Sequence, residues 1–171
     1  GAWDPIPDNA YEAALKCGVL NRNDDIEPIA DFLKSIEPMP AVFDKEYVKR
    51  IEGTNTKKAA TKLELVDAVR DDMRNFKANN NCDRLVVVWC ASTEKFITDS
   101  DIHQNLDSFI RALEGNDERI APSMIYAYAS LMEGIPFANG APNLTVDTPV
   151  LARLADDEGI DEIHVRQRIE G

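Results

Sequence analysis

The sequence predicts an α/β protein: a parallel sheet flanked by helices. Three observations carry that reading. Helical and strand signals alternate along the 171 residues, with no internal repeat. The run Leu85-Val-Val-Val-Trp89 is β-branched and apolar on both faces, as a strand buried between helices is. No stretch rich in Gly, Ser or Pro divides the chain into separate domains. A chain of this length buries roughly 70% of its unfolded surface, enough for a core that needs no disulfide staples.

The elements follow in order. Asn9-Ala-Tyr-Glu12 has the spacing of a capping box, in which the Asn9 side chain covers the Glu12 amide and Glu12 reaches back. A short helix to about Cys17 follows, and Gly18 is placed to end it. Ile26, Ile29, Ala30 and Leu33 mark a second amphipathic segment that stops at Pro38-Met-Pro40. Asp44 is expected to cap a third helix, with Tyr47, Val48 and Ile51 on one face. The strongest periodicity lies over residues 58–77, where Leu63, Val66, Val69, Met73 and Phe76 share a face.

Asn79-Asn-Asn-Cys-Asp83 is a turn cluster, and residues 85–89 then predict a central parallel strand covered by helices. Leu106, Phe109, Ile110 and Leu113 describe another helix, closed by Gly115-Asn116. Pro122 suits a first helical turn, and Met124, Ile125, Tyr128, Leu131 and Met132 carry that helix to Gly134. Residues 135–138 predict a short strand ending at Asn139-Gly140. Thr148-Pro149 reads as N-cap and first helical position of a helix through Leu151, Leu154 and Ala155. The stretch from Gly159 alternates enough to be a strand.

Lys plus Arg number 19 and Asp plus Glu 31, so the net charge is −12. Such a chain repels phosphate backbones and anionic lipid, which argues against nucleic acid and membrane as partners. Its longest apolar run, Leu85 to Ala91, falls far short of the roughly 20 residues of a membrane span, and no charged-then-apolar leader opens it. Cys17, Cys82 and Cys90 are widely spaced and form no CxxC, which suits a reduced cytoplasmic protein whose thiols are free and mostly buried.

In a helix-flanked parallel sheet, small-molecule sites lie beyond the carboxyl ends of the strands. Two such ends stand out: Cys90-Ala91-Ser92-Thr93-Glu94, small and hydroxyl-bearing, and Asn139-Gly140-Ala141-Pro142-Asn143. The opening Gly1-Ala-Trp-Asp4 places a carboxylate where a strand ends, the position that accepts hydrogen bonds from ribose hydroxyls in dinucleotide folds. Each feature also has a plainer explanation. Asp4 suits a turn or cap, residues 90–94 an ordinary loop exit, and Asn139-Gly140 a turn dipeptide. Lys57-Lys58 suits a solvated helix start, or a cation pair gripping a phosphate.

Other chemistry has no pattern here. The glycines at 1, 18, 53, 115, 134, 140, 159 and 171 spell neither GxGxxG nor a phosphate-cradling P-loop. His103 and His164 lack ligand partners at zinc spacing, so no metal site is expected. No GxSxG occurs, and every lysine lies at or before Lys95.

Five blocks in order carry a family resemblance. They are Gly1-Ala-Trp-Asp4 with Asp8-Asn-Ala-Tyr-Glu-Ala-Ala14; Lys34-Ser-Ile-Glu-Pro-Met-Pro-Ala-Val-Phe-Asp44; Arg84-Leu-Val-Val-Val-Trp-Cys-Ala-Ser-Thr-Glu94; Ile120-Ala-Pro-Ser-Met-Ile-Tyr-Ala-Tyr128; and Pro136-Phe-Ala-Asn-Gly-Ala-Pro-Asn-Leu-Thr-Val-Asp-Thr-Pro149. Together they resemble the myo-inositol-1-phosphate synthase family, its bacterial branch most, over roughly residues 1–158. The resemblance implies a partial Rossmann-like NAD-binding domain lacking its first strands, with 1–158 as the second part of that domain and 159–171 as a divergent tail.

It also implies an isomerase of inositol and phospholipid biosynthesis. Glucose 6-phosphate would be oxidised at C5 with NAD, enolised, closed by an intramolecular aldol step and reduced again to 1D-myo-inositol 3-phosphate. Carried over by motif, Asp4 would bind the adenosine ribose and Ala41 and Val42 would pack near the adenine. Cys90, Ala91, Ser92 and Thr93 would line the cofactor, and Asn139, Gly140 and Ala141 would lie near its nicotinamide end. Cys90, Ser92 and Ala141 stand where eukaryotic members carry Thr, Asn and Ser. In the family a Gly-rich loop precedes this region, and the Gly-Gln-Thr phosphate site and catalytic lysines follow it. No catalytic residue is therefore expected within the segment, which alone is expected to be inactive, and a homotetramer is the implied assembly. The plainer alternative is a non-enzymatic α/β module that binds a nucleotide or a partner.

Overall fold

The computed structural model describes residues 1–159 and 163–164. The chain folds as two compact units, one of Gly1–Lys45 with Arg50–Lys57, the other of Glu46–Lys49 with the chain from Lys58 onward.

In the first unit, α1 (Ala10–Cys17) begins with the expected capping box and ends at Gly18 in the left-handed region, φ 65°. A π-turn (Arg22–Ile26) and a 3-10 turn (Glu27–Ile29) lead into α2 (Ala30–Lys34). Tyr11 and Arg22 both donate to Glu27 Oε1, at 3.0 and 2.9 Å. Three short extended segments lie side by side through the parallel bridges Trp3–Met39 and Ala41–Thr56. Asn55 Nδ2 ties them together, donating to the Asp4 and Pro38 carbonyls at 3.0 and 3.3 Å.

In the second unit, α3 (Lys62–Asn79) is capped by Thr61 and buries Val66, Val69 and Met73. β1 (Val87–Trp89), α4 (Leu106–Glu114), α5 (Pro122–Met132), β2 (Phe137–Asn139), α6 (Pro149–Glu158) and β3 (Ile163–His164) follow. The strands form a parallel sheet in the order β1-β2-β3. α5 is the hub of this unit: it packs against α3, α6 and β2, and its residues from Pro122 to Leu131 are all buried. Glu133, just past its end, accepts from Arg70 Nε at 2.7 Å and from Arg74 Nη2 and Nε at 2.6 and 2.9 Å, which fastens α3 to α5. Burial pushes the Glu133 carboxyl up, and the hydrogen bonds from Arg74 and Arg70 outweigh it, leaving the group below its ordinary value.

Three expectations are corrected. Residues 44–51 form turns, not a third helix. The Tyr47 carbonyl accepts from Lys95 N at 2.9 Å and its buried hydroxyl donates to the Glu118 carbonyl at 2.5 Å, so Tyr47 is committed to long-range partners that a local helix would have to surrender. The 85–89 run is not covered on both faces: the strand spans only Val87–Trp89, Val87 is buried, and Val86 and Val88 are 58% exposed. No described element screens that second face. The cysteines are free but not mostly buried, since Cys17 and Cys90 are exposed and Cys82 half-buried. Cys17 ends a helix that buries none of its residues, and Cys90 lies in a strand-end loop.

The proposed tail strand is described only at Ile163–His164, where it pairs with Ala138 and Asn139; the rest of it lies outside the described residues. Among the described residues, no helix is long and apolar enough to cross a membrane.

Candidate functional site

β1 and β2 are in register with Val87 opposite Phe137 and Trp89 opposite Asn139, so both strands end side by side. Their carboxyl-end loops therefore leave the sheet as neighbours, the placement that makes ligand crevices in parallel α/β sheets. Cys90, Ala91, Ser92 and Thr93 form an exposed stretch after β1. On the other loop, Gly140 N donates to the Trp89 carbonyl at 2.9 Å. A Cβ at Gly140 would stand 3.0 Å from that same oxygen. Glycine is thus favoured by close backbone approach between the two strand ends, a reason separate from Asn-Gly turn chemistry. Asn139 is buried and organises its own loop, accepting from Ala141 N at 3.2 Å and donating Nδ2 to the Asn143 carbonyl at 3.1 Å.

Glu94 closes the 90–94 stretch and, unlike the four residues before it, is buried. Glu94 is 5% exposed. Its Oε1 accepts from Ser123 N at 3.0 Å, and its Oε2 accepts from Ser123 Oγ at 2.5 Å and from Asn143 Nδ2 at 3.1 Å. Glu94 N donates back to Asn143 Oδ1 at 3.2 Å. α5 opens on Ala121 and Pro122, with no side-chain cap of its own. The Glu94 carboxylate takes that place, sitting at the positive pole of the helix and satisfying an orphan amide. Thr145 Oγ1 donates to Ser123 Oγ at 2.8 Å and extends the buried polar cluster toward α6. Sequence reasoning read Glu94 as one more residue of the loop and missed that it joins the loop to Ser123 and Asn143. The available signal was indirect: an uncapped helix start at Ala121-Pro122 must find its acceptor elsewhere.

The first unit holds the remaining predicted residues. Asp4 follows the Trp3–Met39 bridge, and its Oδ1 accepts from Ile6 N at 2.8 Å, the turn geometry that short acidic side chains favour. Ala41 and Val42 are buried at the end of the neighbouring segment, with Ala41 N donating to Asn55 O at 3.0 Å and Lys57 N to Ala41 O at 2.8 Å. Asp4, Ala41 and Val42 thus belong to one structural group, and residues 90–93 and 139–141 to the other.

The strand-end loops fit a flat, polar cofactor. One side offers exposed small residues and hydroxyls, the other a backbone that no side chain obstructs at Gly140. Trp89, the last residue of β1, has a buried indole N–H with no partner among the described residues, and its ring lies tilted at 43° against Tyr126 of α5, centroids 5.5 Å apart. A groove of about 860 Å³ lies at the opposite, amino ends of β1 and β2, lined by Arg74, Lys77, Cys82, Arg84 and Ile135 among others. His103 is a satisfied core residue: Ser100 N donates to its Nδ1 at 3.2 Å, and its Nε2 faces the Arg119 carbonyl at 3.3 Å. Among the described residues, no group of three or more His, Cys, Asp or Glu has the arrangement of a metal site.

A parallel sheet with helices against it and paired loops at its carboxyl ends defines a nucleotide-binding α/β protein of the Rossmann-like class. Residues 1–163 match a NAD-binding family model described as myo-inositol-1-phosphate synthase. The chain belongs to that family. It is 49% identical over 161 residues to inositol-3-phosphate synthase 1 of Bacteroides thetaiotaomicron, covering 94% of this chain and 37% of that protein. With inositol-3-phosphate synthase of Trypanosoma brucei brucei the identity is 34% over 150 residues, 85% of this chain and 28% of the other. The crystal structure of inositol-3-phosphate synthase from Caenorhabditis elegans superposes with a TM-score of 0.86 at 27% identity, covering 94% of this chain and 32% of that one. The chain spans about a third of the length of the relatives it matches.

Proposed function

We propose that this chain forms part of an NAD-dependent inositol-3-phosphate synthase, which converts glucose 6-phosphate to 1D-myo-inositol 3-phosphate. The observation that carries the proposal is the side-by-side ending of β1 and β2, with Gly140 against the Trp89 carbonyl, in a chain of this family. Residues 1–158 serve as the second part of the NAD-binding domain.

NAD, when bound, supplies a hydride acceptor and then a hydride donor. This chain's own residues bind and orient. Cys90, Ala91, Ser92 and Thr93 present backbone and hydroxyl groups to the cofactor, and Asn139, Gly140 and Ala141 frame its nicotinamide end. Asp4 accepts hydrogen bonds from the adenosine ribose, while Ala41 and Val42 support the adenine side. Asn139 holds the Ala141 amide through its own side chain. None of these residues moves a proton; the catalytic acid–base and lysine chemistry belongs to other parts of the enzyme. The same reading places the protein in the cytoplasm, as a homotetramer supplying inositol for phospholipids.

The test is turnover of glucose 6-phosphate by the intact protein that carries this chain, with the product identified by NMR. Formation of inositol phosphate with no net consumption of NAD is expected. An intact protein that binds NAD but leaves glucose 6-phosphate unchanged contradicts the synthase reading, and favours a module that only binds a nucleotide.

A further inference from the structure

We propose that Glu94 is a positioning residue that locks the two strand-end loops into one NAD-binding surface, acting through Ser123 and Asn143; this rests on the NAD reading above. A carboxylate buried in a chain of net charge −12 is costly unless its site needs the charge. Capping α5 alone does not need it. A Ser or Asp at the N-cap, position 121, would satisfy the same amide locally. Instead the acceptor comes from the loop after β1, next to Thr93, and it simultaneously grips Asn143 in the loop after β2.

The grip is two-way. The Glu94 side chain accepts from Asn143 Nδ2 at 3.1 Å, and the Glu94 amide donates to Asn143 Oδ1 at 3.2 Å, so neither loop can shift without breaking both bonds. From Asn143 the linkage continues through its carbonyl to Asn139 Nδ2, and from Asn139 Oδ1 to the Ala141 amide. One buried carboxylate thereby couples residues 90–93 to residues 139–141, using the rigid start of α5 as anchor.

Donor and acceptor directions supply the test. In Glu94→Gln an amide NH2 standing at the Oε2 position meets the NH2 of Asn143, two donors face to face. Turning Asn143 over would repair that contact only by giving up the bond from the Glu94 amide. In Asn143→Asp two carboxylates meet. In the double variant Glu94→Gln/Asn143→Asp the Gln NH2 donates to the Asp, the residue-94 amide keeps its acceptor, the Ser123 and Thr145 hydroxyls rotate to suit, and the net charge is unchanged. NADH binding to the intact protein is read by fluorescence titration, with thermal midpoints beside it. Met73→Ala is the control, because Met73 lies by the Arg74–Glu133 pair at the far end of α5 and lowers stability without touching the loops.

Each single variant is expected to weaken NADH about tenfold, the double variant to recover to within about threefold of the parent, and Met73→Ala to keep parental affinity despite a lower midpoint. If Glu94→Gln does not fold, the double variant decides: it must fold and bind. Parental affinity in Glu94→Gln, an unrescued double variant, or an equal loss of affinity in Met73→Ala overturns the positioning role and leaves the NAD reading standing. A parent protein that does not bind NADH overturns both.

Discussion

Gly140→Ala isolates the contact on which the candidate site is built. The new Cβ would lie 3.0 Å from the Trp89 carbonyl oxygen, where ordinary contact begins near 3.4 Å, and the obstacle is backbone of a paired strand, not the end of a flexible side chain. The residue-140 backbone must therefore retreat from β1 by a few tenths of an ångström. Overpacking of this kind costs about 1–3 kcal/mol. The retreat also stretches the 2.9 Å bond from Gly140 N to Trp89 O. A net hydrogen bond is worth about 0.5–1.5 kcal/mol, so a cofactor that needs the unshifted loop should bind roughly two- to twelvefold more weakly. Gly134→Ala is the matched comparison. Gly134 has φ 66° with nothing within 4 Å of a Cβ, and it precedes β2 at the other end of the strand. Its substitution costs about 1–2 kcal/mol of backbone strain with no reason to affect NAD. Calorimetric NAD titration and denaturant unfolding of both variants make the comparison. Equal NAD affinity in Gly140→Ala and the parent, or an equal loss in Gly134→Ala, would refute the reasoning.

Other perturbations have defined outcomes. Phe137 on β2 is fully buried, and Phe137→Ala should cost about 3–5 kcal/mol in urea unfolding. Glu133→Gln removes the negative charge between Arg70 and Arg74 and sets an NH2 donor against an arginine N–H; it should cost about 1–2 kcal/mol, a loss that Asp67→Asn on the exposed face of α3 should not reproduce. Arg119 hydrogen-bonds the Asp117 carboxyl and holds it down from 3.8 to about 2. Because the folded value lies below the unfolded one, this stabilisation is complete above about pH 4 and is lost as pH falls through about 2. Arg119→Gln should flatten that part of the stability–pH curve between about pH 4 and 2, an effect that the partial exposure of the pair keeps small.

Local signals were legible wherever one element satisfies itself. The Asn9–Glu12 capping box, Gly18 in the left-handed region, Pro122 and Pro149 at helix starts and the apolar face of α3 all depend on neighbours within a few residues. The strand-end position of residues 90–94 and 139–143 was legible for the same reason, since it needs only two strands and their order. Failures occur where distant partners decide. Residues 44–51 have helical spacing, but Tyr47 exchanges its local bonds for Glu118 and Lys95. Val86 and Val88 carry the composition of a covered face that no described element covers. Glu94 is written in the sequence as one more acidic residue among 31, and only folding brings it against Ser123 and Asn143.

Hydrogen exchange of the intact protein with and without saturating NAD tests the central claim most directly, because it locates the cofactor on the chain. Protection is expected at the amides of residues 90–94 and 139–143, with a further patch around Asp4 and Ala41. Protection confined to the amino ends of β1 and β2, around residues 81–85 and 133–136, or no change at either strand-end loop, would contradict it.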